Sequence, residues 1–124
     1  MKNDIEDRTD VELMVNTFYG KVQKSDLIGF IFDDIAMIDW ETHLPKMHNF
    51  WATMLLGERT FMGDPMSKHL ALSEQTEMSD VQYNEWLTLF HETIDDLFEG
   101  VKADEAKMRA NRIASVMLSV IQGV

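Results

Sequence analysis

The sequence predicts an all-α domain of four substantial helices and two or three short ones. Three observations carry this. Apolar residues recur at helical spacing in every well-marked segment. Residues that open and close helices bracket those segments: capping boxes begin at Thr9 and Ser79, and glycines stand at Gly57 and Gly100 where helices should stop. No stretch alternates as a half-buried strand would, and there is no internal repeat. The 124 residues suffice for one domain with one core, so a single domain over 1–124 is expected.

In chain order, residues 1–10 are charged and expected to fray, the first eight being flexible. Thr9-Asp10-Val11-Glu12 fits a capping box, and Val11, Met14, Val15, Phe18 and Val22 then mark one buried stripe. Tyr19 stands at the edge of that stripe. A short helix is expected from about Ser25 towards Phe32, interrupted by Gly29 and ended by Asp33-Asp34. The next helix should run from near Asp39 to Gly57, a residue suited to a left-handed cap. Pro45 is awkward there, because proline is tolerated best in a first turn, and the start could slip towards Thr42. After a loop, Asp64 and Pro65 open a short helix carrying His69. Residues 72–78 read as loop. A long helix follows Ser79 and ends at Gly100, with Trp86, Leu89, Phe90, Thr93 and Leu97 inward. The last runs from about Asp104 to Gln122, with Ala106, Ala110, Ile113, Met117 and Val120 inward.

Composition narrows the function. The formal net charge is −11, from 22 acidic and 11 basic residues. A chain this acidic is a poor ligand for nucleic acid or an anionic membrane, so neither partner is expected. There is no cysteine. That removes disulfides, thiolate nucleophiles, iron–sulfur clusters and thiolate-bound metals, and it is compatible with a cytoplasmic protein. No apolar run has the length of a membrane span, and no signal peptide is apparent. Ten methionines could line a planar ligand, although ordinary core filling explains them equally well.

The four histidines separate by geometry. At roughly 100° per residue, Met47 and Phe50 share the side of His43, with Trp51 at its edge. His48 points elsewhere, so His43 and His48 cannot form the same-face pair of a helical zinc site. His91 points away from the stripe of Trp86 and Phe90. His48 and His91 therefore read as surface residues. A histidine beside apolar residues, as His69 is, is more often structural than a ligand. Two imidazoles on a short rigid helix and a facing helix could nevertheless hold a flat iron cofactor between them.

The order of motifs decides between these readings. Phe18-Tyr19-Gly20-Lys21-Val22, Ile31-Phe32 and Trp40-Glu41-Thr42-His43-Leu44 come first. Asn49-Phe50-Trp51-Ala52-Thr53-Met54-Leu55-Leu56-Gly57 and Gly63-Asp64-Pro65-Met66-Ser67-Lys68-His69-Leu70 follow. Glu85-Trp86-Leu87-Thr88-Leu89-Phe90 and Ala110-Asn111-Arg112-Ile113-Ala114 complete the set. With these segments in this order the chain resembles the group III truncated haemoglobins over roughly residues 11–121. Phe30, where the family usually has proline, and Phe61, where tyrosine is common, depart from the pattern, as does the stretch from Ser73 to Asp80.

The resemblance implies a truncated globin fold, a two-over-two helical sandwich around haem b. His69 would be the proximal ligand and hence the metal-binding residue. Met47, Phe50, Trp51 and Phe90 would line the haem. Tyr19, His43 and Trp86 would face the ligand from the distal side, His43 as a gate or secondary donor. The implied function is binding of oxygen, nitric oxide or other diatomic ligands, for scavenging or nitric-oxide handling. A nitric-oxide dioxygenase or peroxidase-like enzyme would use the same pocket, and its turnover implies a reductase partner. A helical interaction module without cofactor is the third reading, separable from the others by an absorbance spectrum.

Overall fold

A computed structural model of the chain describes the backbone of residues 2–31, 39–58 and 80–122. It contains four long helices: α1 (Arg8–Lys24), α2 (Trp40–Leu56), α3 (Asp80–Leu97) and α4 (Val101–Gln122). There is no strand among the described residues. Helix α1 packs on α2 and on α3, α3 packs closely on α4, and α2 touches α4 more lightly. The four helices thus form two pairs, one laid against the other.

Local chemistry fixes most helix ends. Asp7 caps α1, accepting from the Asp10 amide at 3.1 Å, so the helix opens before the Thr9 box that the sequence suggests. Asp39 caps α2, and its carboxylate accepts from Glu41 N and Thr42 Oγ1. Gly57 ends α2 at φ 74°, a left-handed conformation that costs glycine little. Pro45 lies inside α2 and does not displace its start, although it removes one backbone donor from the second turn. After α1 the chain forms a turn over 26–28 and a brief helical stretch at 29–31, not a full helix from Ser25. Gly29 is required there, because a Cβ would lie 2.8 Å from the Gln23 carbonyl oxygen. Phe32, Asp33, Asp34, Ser79 and the whole segment of His69 lie outside the described residues.

The boundary between α3 and α4 differs from expectation on both sides. α3 stops at Leu97, and α4 starts at Val101, three residues before Asp104. The reason is a cap supplied from far away. The Asp4 carboxylate accepts from Lys102 N at 3.0 Å and Ala103 N at 2.9 Å, and Glu99 N donates to the Asn3 carbonyl. Ile5, beside it, is buried. Within the amino-terminal stretch expected to fray, Asp4 and Ile5 are therefore docked, with Asp4 against the start of α4.

The core gathers Val11, Met14, Val15, Phe18 and Val22 from α1 with Trp51, Ala52 and Leu55 from α2. Phe90 and Ile94 from α3 and Ala103, Ala106 and Ala110 from α4 complete it. The alanines let α4 approach closely. Met117 and Val120 lie beyond the described side chains. Polar ties hold the periphery. Lys21 pairs with Glu92 and Asp96, joining α1 to α3, and Lys107 pairs with Asp95, joining α4 to α3. The end of α2 has no basic residue in its own last turn. Instead Lys102 Nζ donates to the Leu55 carbonyl, and Arg8 reaches Asn49 and Glu58. Cations brought by α1 and α4 thus meet the negative end of the α2 dipole.

Partial burial pushes the Asp4 pKa up, but donors from Lys102, Ala103 and Ile5 and the Lys102 charge outweigh it and leave it below the ordinary value. Asp4→Ala should cost about 0.5–2 kcal/mol at neutral pH, the range for losing a helix cap. Because the folded carboxyl titrates lower than the unfolded one, this contribution is complete above about pH 4. It fades as pH falls through the lowered folded value. Urea unfolding of parent and variant should therefore show a gap at neutral pH that closes in acid. A gap independent of pH would assign the cap to shape and not to charge.

Candidate functional site

Three helices bring one aromatic cluster together, with Phe18 at its junction. Its ring lies 4.9 Å from Tyr19, 5.5 Å from Trp86 and 5.2 Å from Phe90, each in an edge-to-face or tilted arrangement. Two arms extend from it. In the apolar arm Phe90 is fully buried and stacks on Trp51 at 4.9 Å and on Trp86 at 5.8 Å. Phe50 meets Trp51 edge-on at 5.4 Å. Trp86 and Phe90 stand one turn apart on α3, so helix spacing itself places their rings in register.

The second arm carries the polar atoms. Tyr19, beside Phe18 on α1, is 6% exposed and so lies inside the core, not at its edge. Its ring lies 5.3 Å from His43 and 5.5 Å from Trp40, and His43 and Trp40 lie 5.6 Å apart. Trp40, His43 and Met47 follow one another at spacings of three and four residues, so one face of α2 presents all three. His43 Nε2 is shut off from solvent. Burial raises the Tyr19 pKa far above that of an ordinary phenol, so its hydroxyl stays protonated and able to donate.

Of the residues singled out in the sequence, Tyr19 and His43 are thus in direct ring contact, and among the described residues Trp86 and Tyr19 both touch the Phe18 ring. Met47 and Phe50 are partly buried against the same core. His69 lies outside the described residues, together with Asp64 and Pro65. His48 and His91 are partly exposed and away from the cluster, and each bonds an asparagine on a neighbouring helix, Asn16 and Asn111, at 2.8 Å. Among the described residues no group of three histidine or carboxylate side chains could hold a metal ion. A cleft of about 560 Å³ opens between α3 and α4, bordered by Lys2, Asp95, Asp104 and Lys107. It contains none of the cluster's polar groups, and its Lys107 is already paired with Asp95.

A scan against protein-family models finds no match. The group 3 truncated hemoglobin ctb of Campylobacter jejuni is 34% identical over 119 residues, covering 93% of this chain and 91% of the relative. The chain belongs to the group III truncated haemoglobins. The crystal structure of a group III truncated hemoglobin from Campylobacter jejuni agrees, with a TM-score of 0.85 at 32% identity over 98% of this chain and 95% of that one. The two pairs of helices are accordingly the two-over-two sandwich of a truncated globin.

Within this truncated haemoglobin, sequence reasoning gave no role to two residues that the structure makes central. Phe18 reads only as one more member of the α1 stripe. Trp40 stands within a motif segment, and its position three residues before His43 was the available signal. Phe90 is fully buried against Phe18, Trp51 and Trp86, so Phe90→Ala should cost about 3–5 kcal/mol in chemical denaturation, the range for truncating a buried phenylalanine. A loss below about 1 kcal/mol would mean that the rings close over the gap.

Proposed function

We propose that this truncated haemoglobin holds a b-type haem and binds oxygen, nitric oxide or other diatomic ligands. The observation that carries the reading is the Tyr19–His43 contact. A buried, protonated phenol and a buried imidazole nitrogen converge beside an otherwise aromatic wall. Such a donor set suits a small polarisable ligand, and the apolar residues around it suit a flat macrocycle. Membership of the family implies the same cofactor.

His69 would hold the iron, with Met47, Phe50, Trp51 and Phe90 against the ring and Tyr19, His43 and Trp86 towards the ligand. Haem, when bound, supplies the metal that takes a diatomic molecule, and the protein supplies donors and access. Tyr19 keeps its proton at all physiological pH values and so presents a constant donor. Trp86 offers an indole N–H, which carries no charge to titrate. His43 stands against both Tyr19 and Trp40, where a rotation of its ring would open or close the approach to the phenol. We assign it the role of gate or secondary donor. Repeated oxidation of nitric oxide would need electrons from a reductase. Among the described residues no helix is long and apolar enough to cross a membrane. A cytoplasmic location is our reading of this cysteine-free, acidic chain.

His69→Ala should abolish stable haem binding, or leave weak binding that added imidazole restores, as read from the absorption spectrum of purified protein. Normal haem retention with an unchanged spectrum would assign the iron to another residue. Tyr19→Phe and Trp86→Phe each remove one hydrogen bond to a partly charged acceptor, worth about 1.5–3 kcal/mol. Oxygen release, followed by stopped flow, should then quicken roughly ten- to a hundredfold in each if the loss falls on dissociation. The double variant should fall short of the product of the two, because both donors serve one ligand. Unchanged release in both single variants would leave Tyr19 and Trp86 as packing residues.

A further inference from the structure

The polar arm has an outward end that the ligand-binding reading does not use. Tyr19, His43 and Trp40 form a triangle of rings, each touching the other two, and Trp40 is its outermost corner, at the start of α2. Trp40 is the first residue of α2 and only partly buried, and the residues flanking it, Asp39 and Glu41, are exposed. The Asp39 carboxylate is anchored there by Glu41 N and Thr42 Oγ1. Two carboxylates at the first turn oppose the half-charge of the helix start, which would otherwise disfavour positive charge on an indole placed there. The other indoles are placed differently. Trp51 is sealed in the core at 3% exposure, and Trp86 meets the Phe18 ring, which Tyr19 also touches.

We infer that Trp40 is the outer terminus of an electron path through the Tyr19 ring, by which hydrogen peroxide reduced at the haem site oxidises Trp40 and spares the porphyrin. This rests on the haem reading. Oxidising a phenol to a stable radical requires loss of its proton, and the buried Tyr19 hydroxyl resists that loss. Tyr19 therefore bridges by ring contact and does not retain the oxidising equivalent. An indole can lose an electron first and release its proton to water afterwards, which the partly exposed Trp40 permits. The balance closes. Breaking the O–O bond of one peroxide and forming two waters takes up two electrons and two protons. Trp40 supplies the electrons in two steps, a water adds its oxygen to the ring, and two protons are released. The net products are one hydroxytryptophan and one water. With a small phenol present as one-electron donor, Trp40 is re-reduced after each step and accumulates no oxygen.

The test adds a few equivalents of hydrogen peroxide to the ferric, haem-loaded protein and maps the products by peptide mass spectrometry. One added oxygen should appear at Trp40 before Trp51 or Trp86. Added phenol should suppress it. Cyanide, which occupies the ligand position, should abolish it while the exposed Met108 still oxidises by direct attack. Trp40→Phe should bleach the haem band several-fold faster than the parent. Tyr19→Leu, which removes the ring, should lose Trp40 oxidation, whereas Tyr19→Phe, which keeps it, should retain it. First oxidation at Trp51 or Trp86, or Trp40 oxidation unaffected by cyanide, would overturn the path. A normal haem band with no oxidised Trp40 would sink the path alone, and a protein with no haem band at all would sink the haem reading together with it. The parent map decides the matter even if a variant fails to fold.

Discussion

The rest of the structure depends on the packing of Phe90 between two indoles and against Phe18. This one ring from α3 touches α2 through Trp51 and α1 through Phe18, so three of the four long helices meet at a single buried residue. Stacked and edge-to-face contacts are directional, unlike aliphatic contacts. They fix not only how close the helices come but also how each is rotated. The rotation of α2 set by Trp51 determines that Trp40, His43 and Met47 look towards α1. The rotation of α1 set by Phe18 carries Tyr19 to meet them. The polar arm is thus a by-product of the apolar one.

Electrostatics plays a supporting part. The chain's excess of acid leaves few cations, and four of those described are spent on joints between helices. Lys21 and Lys107 each bind acidic residues of α3, and Arg8 and Lys102 close the end of α2. Each exposed pair is worth little alone, up to about 1 kcal/mol. Their placement matters more than their sum. Each joins residues of different elements, so together they hold neighbouring helices in place.

How much could be read from the sequence depended on whether the deciding group was local. Both ends of α2 were legible, because Asp39 and Gly57 act on their own helix. Pro45 suggested a later start, but a cap already in place outweighed one missing donor. The start of α4 was illegible, because its cap is Asp4, which no window around Gly100 contains. The candidate members of the site came from motif order. Their grouping did not, since whether Trp86 adjoins Tyr19 or stands behind Phe18 is set by helix rotation, which no single helix encodes. The depth of Tyr19 was underestimated for a related reason: α2 covers what the α1 pattern alone leaves at the edge.

The cap from Asp4 ties the first turn of α4 to a residue 98 positions earlier in the chain. A helix normally begins with groups close at hand, so that its first turn can form before the rest of the fold. Here the amides of Lys102 and Ala103 find their acceptor only when the amino-terminal segment has docked. The two stretches therefore open and close as one unit, distinct from the helix interiors. The corner between α3 and α4 is accordingly completed by residues distant in sequence. Removal of residues 3–5 would be felt there, about a hundred positions further along the chain.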